Sequence, residues 1–75
     1  MKMFSIRDIK SEGYNVPFFQ PTFGLAERAY QNLKSDPQSQ ISKTPEDFSL
    51  CYIGEFDPKT GQFSPEPTPK IIGNA

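Results

Sequence analysis

The sequence predicts a small α+β domain: one helix packed on an antiparallel sheet built from an N-terminal strand and a C-terminal hairpin. Three patterns carry that reading. Side chains alternate over residues 1–10, apolar residues recur at three- and four-residue spacings over residues 23–35, and two extended stretches flank the turn sequence Asp57-Pro58-Lys59-Thr60-Gly61.

In residues 1–10, Phe4 and Ile6 fall on one side of an extended chain, and Ser5 and Arg7 on the other. Met3 and Ile9 share the side of Ser5 and Arg7, so the strand has one buried face and partial cover on the second. Residues 11–21 hold Gly13, Asn15, Pro17 and Pro21 around Tyr14, Phe18 and Phe19, which predicts a loop with a short extended piece at residues 17–20. Thr22 then precedes the helical stretch, where Leu25, Ala26, Ala29, Tyr30 and Leu33 recur on one side. The Thr22 hydroxyl can accept from a free N–H of the first turn, and Asp36-Pro37 ends the helix because a residue before proline avoids helical angles. Leu25, Ala29 and Leu33 are expected to meet Phe4, Ile6, Leu50 and Tyr52.

Residues 36–43 are polar apart from Ile41 and are expected to form a mobile loop. Thr44-Pro45-Glu46-Asp47 reads as one helical turn, with Thr44 as cap and Pro45 at the first position. Residues 48–56 form the second strand, with Phe48, Leu50, Tyr52 and Phe56 on one face and Ser49, Cys51, Ile53 and Glu55 on the other. Gly54 inside that strand marks a bulge or a close backbone approach. After the turn, residues 62–64 return as a short partner strand. Pro65, Pro67 and Pro69 then block both a helix and a regular ladder. The domain is therefore expected to span residues 1–64, with residues 65–75 as a proline-rich extended tail that the fold does not need.

Composition narrows the chemistry. Seventy-five residues make one small domain and exclude a large catalytic core. Only 35% of the residues are hydrophobic and mean hydropathy is −0.60, so the core must lean on seven Phe and three Tyr. A net charge of −1 excludes an arginine-rich peptide that neutralises nucleic acid by bulk charge. With one cysteine and no histidine, the chain has no intramolecular disulfide, no Ser/His/Asp or Cys/His nucleophile and no cysteine-rich or histidine zinc site. No segment approaches the roughly 18 apolar residues of a membrane span, and residues 1–10 lack the apolar run of a signal peptide, so a soluble protein of a reducing cytoplasm is expected.

The pairs Glu46/Asp47 and Glu55/Asp57 are the close carboxylates, and both adjoin turns, where acids stay solvated or cap backbone donors. Cys51 has neither a histidine nor a helix N-terminus to ionise it. No GxGxxG or GKS/GKT run occurs among the five glycines. No catalytic residue, metal site or cofactor is therefore expected, and no enzymatic activity.

Charge is unevenly placed. Lys2, Arg7, Lys10, Arg28 and Lys34 outnumber Asp8, Glu12 and Glu27 in residues 1–34, a net +2, whereas the remainder is net −3. Arg7, Lys10 and Arg28 could contact phosphates while Tyr14, Phe18 and Phe19 stack on unpaired bases, worth about 1–3 kcal/mol per base. The same rings could instead be core in a chain short of aliphatics, and their burial decides between the two.

Taken as an ordered set, residues 2–10 (KMFSIRDIK), 17–20 (PFFQ), 24–30 (GLAERAY), 44–50 (TPEDFSL) and 54–61 (GEFDPKTG) resemble the small nonstructural protein of gokushovirus-type microviruses, phages with circular single-stranded DNA. The resemblance covers about residues 1–63. It implies a phage protein of the host bacterial cytoplasm that binds DNA or serves replication, in the switch from double-stranded replication to single-strand synthesis and packaging. It carries over no functional residues. Two functions are therefore expected in competition. One is a single-strand DNA-binding accessory factor. The other is a protein-interaction factor that engages a phage or host replication or assembly protein through exposed aromatics and the tail. A core this small is marginal for a monomer, which leaves room for a homo-oligomer sharing sheet edges or aromatic surface.

Overall fold

Alternation at the N-terminus becomes β1 (Lys2–Asp8), the strand around which the rest of the sheet assembles. The computed structural model describes residues 1–74. After β1 come β2 (Gly13–Tyr14), β3 (Phe18–Gln20), α1 (Phe23–Ser35), α2 (Gln40–Lys43), a single 3₁₀ turn (Pro45–Asp47), β4 (Phe48–Phe56) and β5 (Phe63–Asn74). Every pairing is antiparallel: β2 and β3 lie in succession along one edge of β1, β4 lies along the other, and β5 is hydrogen-bonded to β4. The class is α+β with sheet outweighing helix, and the sheet curls.

The helix forms where its spacing predicts it. Thr22 is extended at φ −138°, and its Oγ1 accepts from the Leu25 N–H at 3.1 Å. Asp36 returns to extended angles and ends the helix, with Lys34 in the last turn, where a cation suits the helix dipole. The face it buries differs from expectation. Ala26 and Tyr30 are the fully buried helical residues, whereas Leu33 is exposed and Leu25 and Ala29 are half-buried. Tyr30 offers the larger apolar surface, so burial turns it inward over the sheet.

Ala26 and Tyr30 meet Phe4, Ile6, Phe48, Leu50 and Tyr52 in one core. Aromatic edges and faces fill it: Phe23 stands edge-on to Tyr52 at 5.1 Å and to Phe4 at 5.9 Å, and Phe18 stacks on Phe4 at 5.9 Å. Residues 36–43 are not the loop that their polarity predicts. Ser39 Oγ accepts from the Ile41 N–H at 3.1 Å and caps α2, which inserts Ile41 into the core. The Pro45 turn is present, but the Thr44 side chain makes no capping bond.

Gly54 meets its expectation in both forms. The β1–β4 register shifts beside it, and a Cβ built there would lie 2.6 Å from the Ser64 carbonyl oxygen, which only glycine avoids. The shift also reverses side-chain parity. Glu55 therefore joins the helix side, where Tyr52 Oη donates to its Oε1 at 2.9 Å, and Phe56 moves to the opposite face. Both assignments reverse the simple alternation read from the sequence, because one extra residue swaps the faces beyond it.

The largest correction concerns residues 65–74 of the expected tail, whose last residue, Ala75, lies outside the described residues. Residues 65–74 are not a free tail but most of β5, and the hairpin return is a strand of 12 residues. β5 is the sheet's outer strand, where a missing N–H is tolerated, and its three prolines share one parity. Tyr52 pairs with Lys70 and Gly54 with Pro65, so residues 66–69 arch away from β4 before the ladder resumes. Beyond the arch Ile72 packs against the core, and Gly73 sits against Leu50 and Tyr30. No helix among the described residues is long and apolar enough to cross a membrane.

Candidate nucleic-acid interface

The Cα envelope measures 39 × 23 × 17 Å, a thickness that accommodates one helix on one sheet and no third layer. The sheet face turned away from α1 consequently carries no helix, although its central residues Ser5, Ser49 and Cys51 are buried and only its margins are exposed. Parity places Met3, Ser5 and Arg7 of β1 there, and the register extends each into a cross-strand row. Arg7 lies between Tyr14 and Ser49, Ser5 beside Cys51 and then Ile71, and Met3 between Phe19 and Gly54. Past the bulge, Phe56 pairs with Phe63 on the same face, and its ring lies 5.7 Å from that of Phe19.

Relief on this face follows from side-chain size. Ser5, Ser49 and Cys51 form a low floor shaded by their neighbours, and the Ser5 hydroxyl donates to the Asn15 carbonyl at 2.6 Å. Tyr14 at 49% exposure, Phe19 at 42% and Ile71 at 55% stand above it. The aromatic ends are separated by the Arg7-to-Met3 stretch of β1, about 13 Å at the rise of an antiparallel strand. No carboxylate of the described residues belongs to these rows. The acids lie elsewhere: Asp8 has the parity of the buried face, Glu12 is in the β1–β2 turn, and Glu55, Asp57 and Glu66 lie toward the hairpin.

Of the six residues selected from the sequence, Arg7, Tyr14 and Phe19 share this face. Lys10 is exposed in the β1–β2 turn at the end of the sheet, where its N–H binds Asp8 Oδ1 at 3.0 Å. Phe18 and Arg28 do not share the face with them. Phe18 is half-buried on Phe4, since it follows the opposite parity to Phe19, and Arg28 is exposed on α1, on the other side of the molecule. Sequence reasoning missed Phe56, Phe63 and Ile71. The Gly54 bulge was the signal for Phe56, Phe63 lay in the expected return strand over residues 62–64 without being assigned a face, and Ile71 was hidden by prolines that suggested a tail.

Burial pushes the Cys51 thiol pKa up despite the nearby Arg7 guanidinium, which keeps the thiol protonated and a poor nucleophile. Among the described residues there is no group of three or more His, Cys, Asp or Glu side chains able to hold a metal ion. What the face offers is a cation and flat exposed rings around a buried centre, an arrangement suited to a phosphate and unpaired bases.

Fold and site thus define a small sheet-and-helix protein with one helix-free face on which aromatic rings flank an arginine. The chain belongs to the Phage ORF5 protein family, which it matches over residues 1–75. It is similar to Protein ORF5 of Chlamydia phage 1, at 35% identity over 69 residues, covering 87% of this chain and 72% of that relative. The resemblance to gokushovirus proteins read from the five motifs is thereby shown. No solved structure matches the chain.

Proposed function

We propose that the helix-free face binds single-stranded DNA, with Arg7 on a phosphate and Tyr14 and Phe19 stacked against bases on either side of it. One observation carries the reading: Arg7, Tyr14 and Phe19, from three separate strands, converge on one face whose rows hold no acid among the described residues. With a net charge of −1 any binding must be local, and the absence of acids from these rows among the described residues supports it there. Phe56 and Phe63 extend the stacking surface beyond Phe19, and Lys10 adds a cation at the opposite end. An open sheet of rings accepts splayed bases and has no helix projecting from it to enter a duplex groove, so single strands are favoured over duplex.

In this reading the protein acts without catalysis in the host bacterial cytoplasm. It occupies the strand displaced or newly made as double-stranded replication gives way to single-strand synthesis and packaging. Family membership supports that setting, and the aromatic face supports the ligand.

Anisotropy titrations with single- and double-stranded oligonucleotides at two salt concentrations test it. Single strands bind more tightly, and affinity falls as salt rises. Arg7→Ala lowers the slope of log K against log salt by about 0.7, the single-strand value for one phosphate. Phe19→Ala weakens binding by about 1–3 kcal/mol with the slope unchanged, in a protein whose melting curve is intact. Absence of binding at low salt, where attraction is least screened, overturns the proposal and assigns the aromatic face to a replication or assembly protein instead.

A further inference from the structure

The opposite side of the molecule carries a second feature that DNA binding leaves unused. Between the second half of α1 and the β2–β3 connection runs a groove of about 530 Å³ with an apolar floor that includes Ile6, Phe18 and Leu33. Its rim includes Val16, which is 87% exposed. An apolar socket and an unburied apolar plug are therefore side by side on one patch. That is the requirement for an interface in which the same surface of two identical chains meets itself.

The charges beside the groove obey the same symmetry. Arg28, Asn32 and Asp36 are spaced four residues apart along the exposed flank of α1, with Asp36 as its C-cap. Asn32 is midway between them, and the ends are about 12 Å apart along the helix axis. Among the described residues neither Arg28 nor Asp36 makes an ion pair within its own chain. A two-fold axis passing beside Asn32 sets two α1 helices antiparallel, brings Arg28 of each chain opposite Asp36 of the other, and pairs the two Asn32 amides.

We infer that this face self-associates: a second copy of the chain docks on the groove through antiparallel α1 helices, with reciprocal Arg28–Asp36 pairs and each Val16 seated in the other copy's groove. Arg28 thereby serves the interface between copies rather than DNA. The sheet faces of both copies remain open on the outside of the pair. This arrangement differs from the shared sheet edges or aromatic surface that composition alone suggests.

Sedimentation velocity over a wide concentration range tests the inference, with the full chain and three single variants. Wild type dimerises. Arg28→Glu places a carboxylate against Asp36 at both contacts, Asp36→Lys places an ammonium against Arg28, and each weakens the dimer roughly tenfold or more. Mixing these two variants restores dimer, because the carboxylate introduced in one chain then meets the ammonium introduced in the other, and the remaining contact keeps its native Arg28–Asp36 pair. Leu33→Asp, at a position already exposed, abolishes association while the melting curve stays cooperative. A wild type that remains monomeric throughout, single variants that dimerise as wild type does, or a mixture that fails to regain the dimer each overturns the inference.

Discussion

Replacing Tyr30 by Phe should stabilise the protein, although Tyr30 is among the most buried side chains and most core substitutions are harmful. Its ring is 1% exposed, and its hydroxyl, likewise buried, has no hydrogen-bond partner among the described residues. In the unfolded chain that hydroxyl is hydrated, so folding strips its water and returns nothing, a cost of about 1–3 kcal/mol. The same desolvation raises the Tyr30 pKa. Phe keeps the ring against Leu50 and Gly73 and loses only the dispersion contacts of one oxygen, each about 0.1–0.2 kcal/mol. The net expectation is a gain of about 1 kcal/mol, seen as a thermal midpoint raised by about 4–8 °C in a chain of this length. Tyr52→Phe is the matched comparison and should lower the midpoint, because that hydroxyl donates to Glu55 at 2.9 Å. Calorimetry on both variants decides. A midpoint lowered by Tyr30→Phe would falsify the unpartnered hydroxyl and, with it, the packing of α1 over β4 and β5 described above.

Three further outcomes follow from the sheet. Gly54→Ala should destabilise by about 2–3 kcal/mol, since the new methyl meets the Ser64 carbonyl at 2.6 Å and forces β4 and β5 apart; urea unfolding measures it. Ending the chain at residue 64 should abolish cooperative melting rather than spare the fold, because Ile72 and the second half of the β4–β5 ladder are lost. The Glu55 pKa is lowered, first by the Tyr52 hydroxyl that donates to it and then by Lys2 and the N-terminal ammonium. A depressed folded-state pKa means that this contribution to stability is present above the usual carboxylate pKa of about 4.3 and is lost as pH falls through the lowered value. Glu55→Gln should therefore flatten that part of the acid limb in urea midpoints measured at successive pH values, and an unchanged limb would remove Glu55 from the account.

Local signals in the sequence were sufficient wherever one residue type decides the backbone. Thr22 and Asp36-Pro37 mark both ends of α1 because capping and the pre-proline restriction act within a few residues. Gly54 announced a bulge because no other residue survives that contact. What the sequence did not disclose depended on distant partners. Ile41 looked isolated in a polar stretch, yet one helical turn places it in the core. The alternation of prolines gave no hint that β4 would hold residues 70–74 beyond an arch. For the interface, period-two alternation already set Met3 with Arg7, but only the register could bring Tyr14 and Phe19 beside them and send Phe18 the other way.

The prolines of β5 have a bearing on solubility. An outer strand ordinarily presents a row of donors and acceptors that another extended chain can zip onto, which is how sheets grow into aggregates. Pro65, Pro67 and Pro69 remove three donors of one parity, and the arch over residues 66–69 bends the strand out of the straight line that an incoming strand would follow. On the opposite margin the edge is interrupted between Tyr14 and Phe18, with Pro17 in the gap and Pro21 just past its end. Both borders of the sheet are thus poor templates for further strands. A chain that exposes Tyr14, Phe19 and Phe63 can still remain dispersed because its margins resist fibrous stacking.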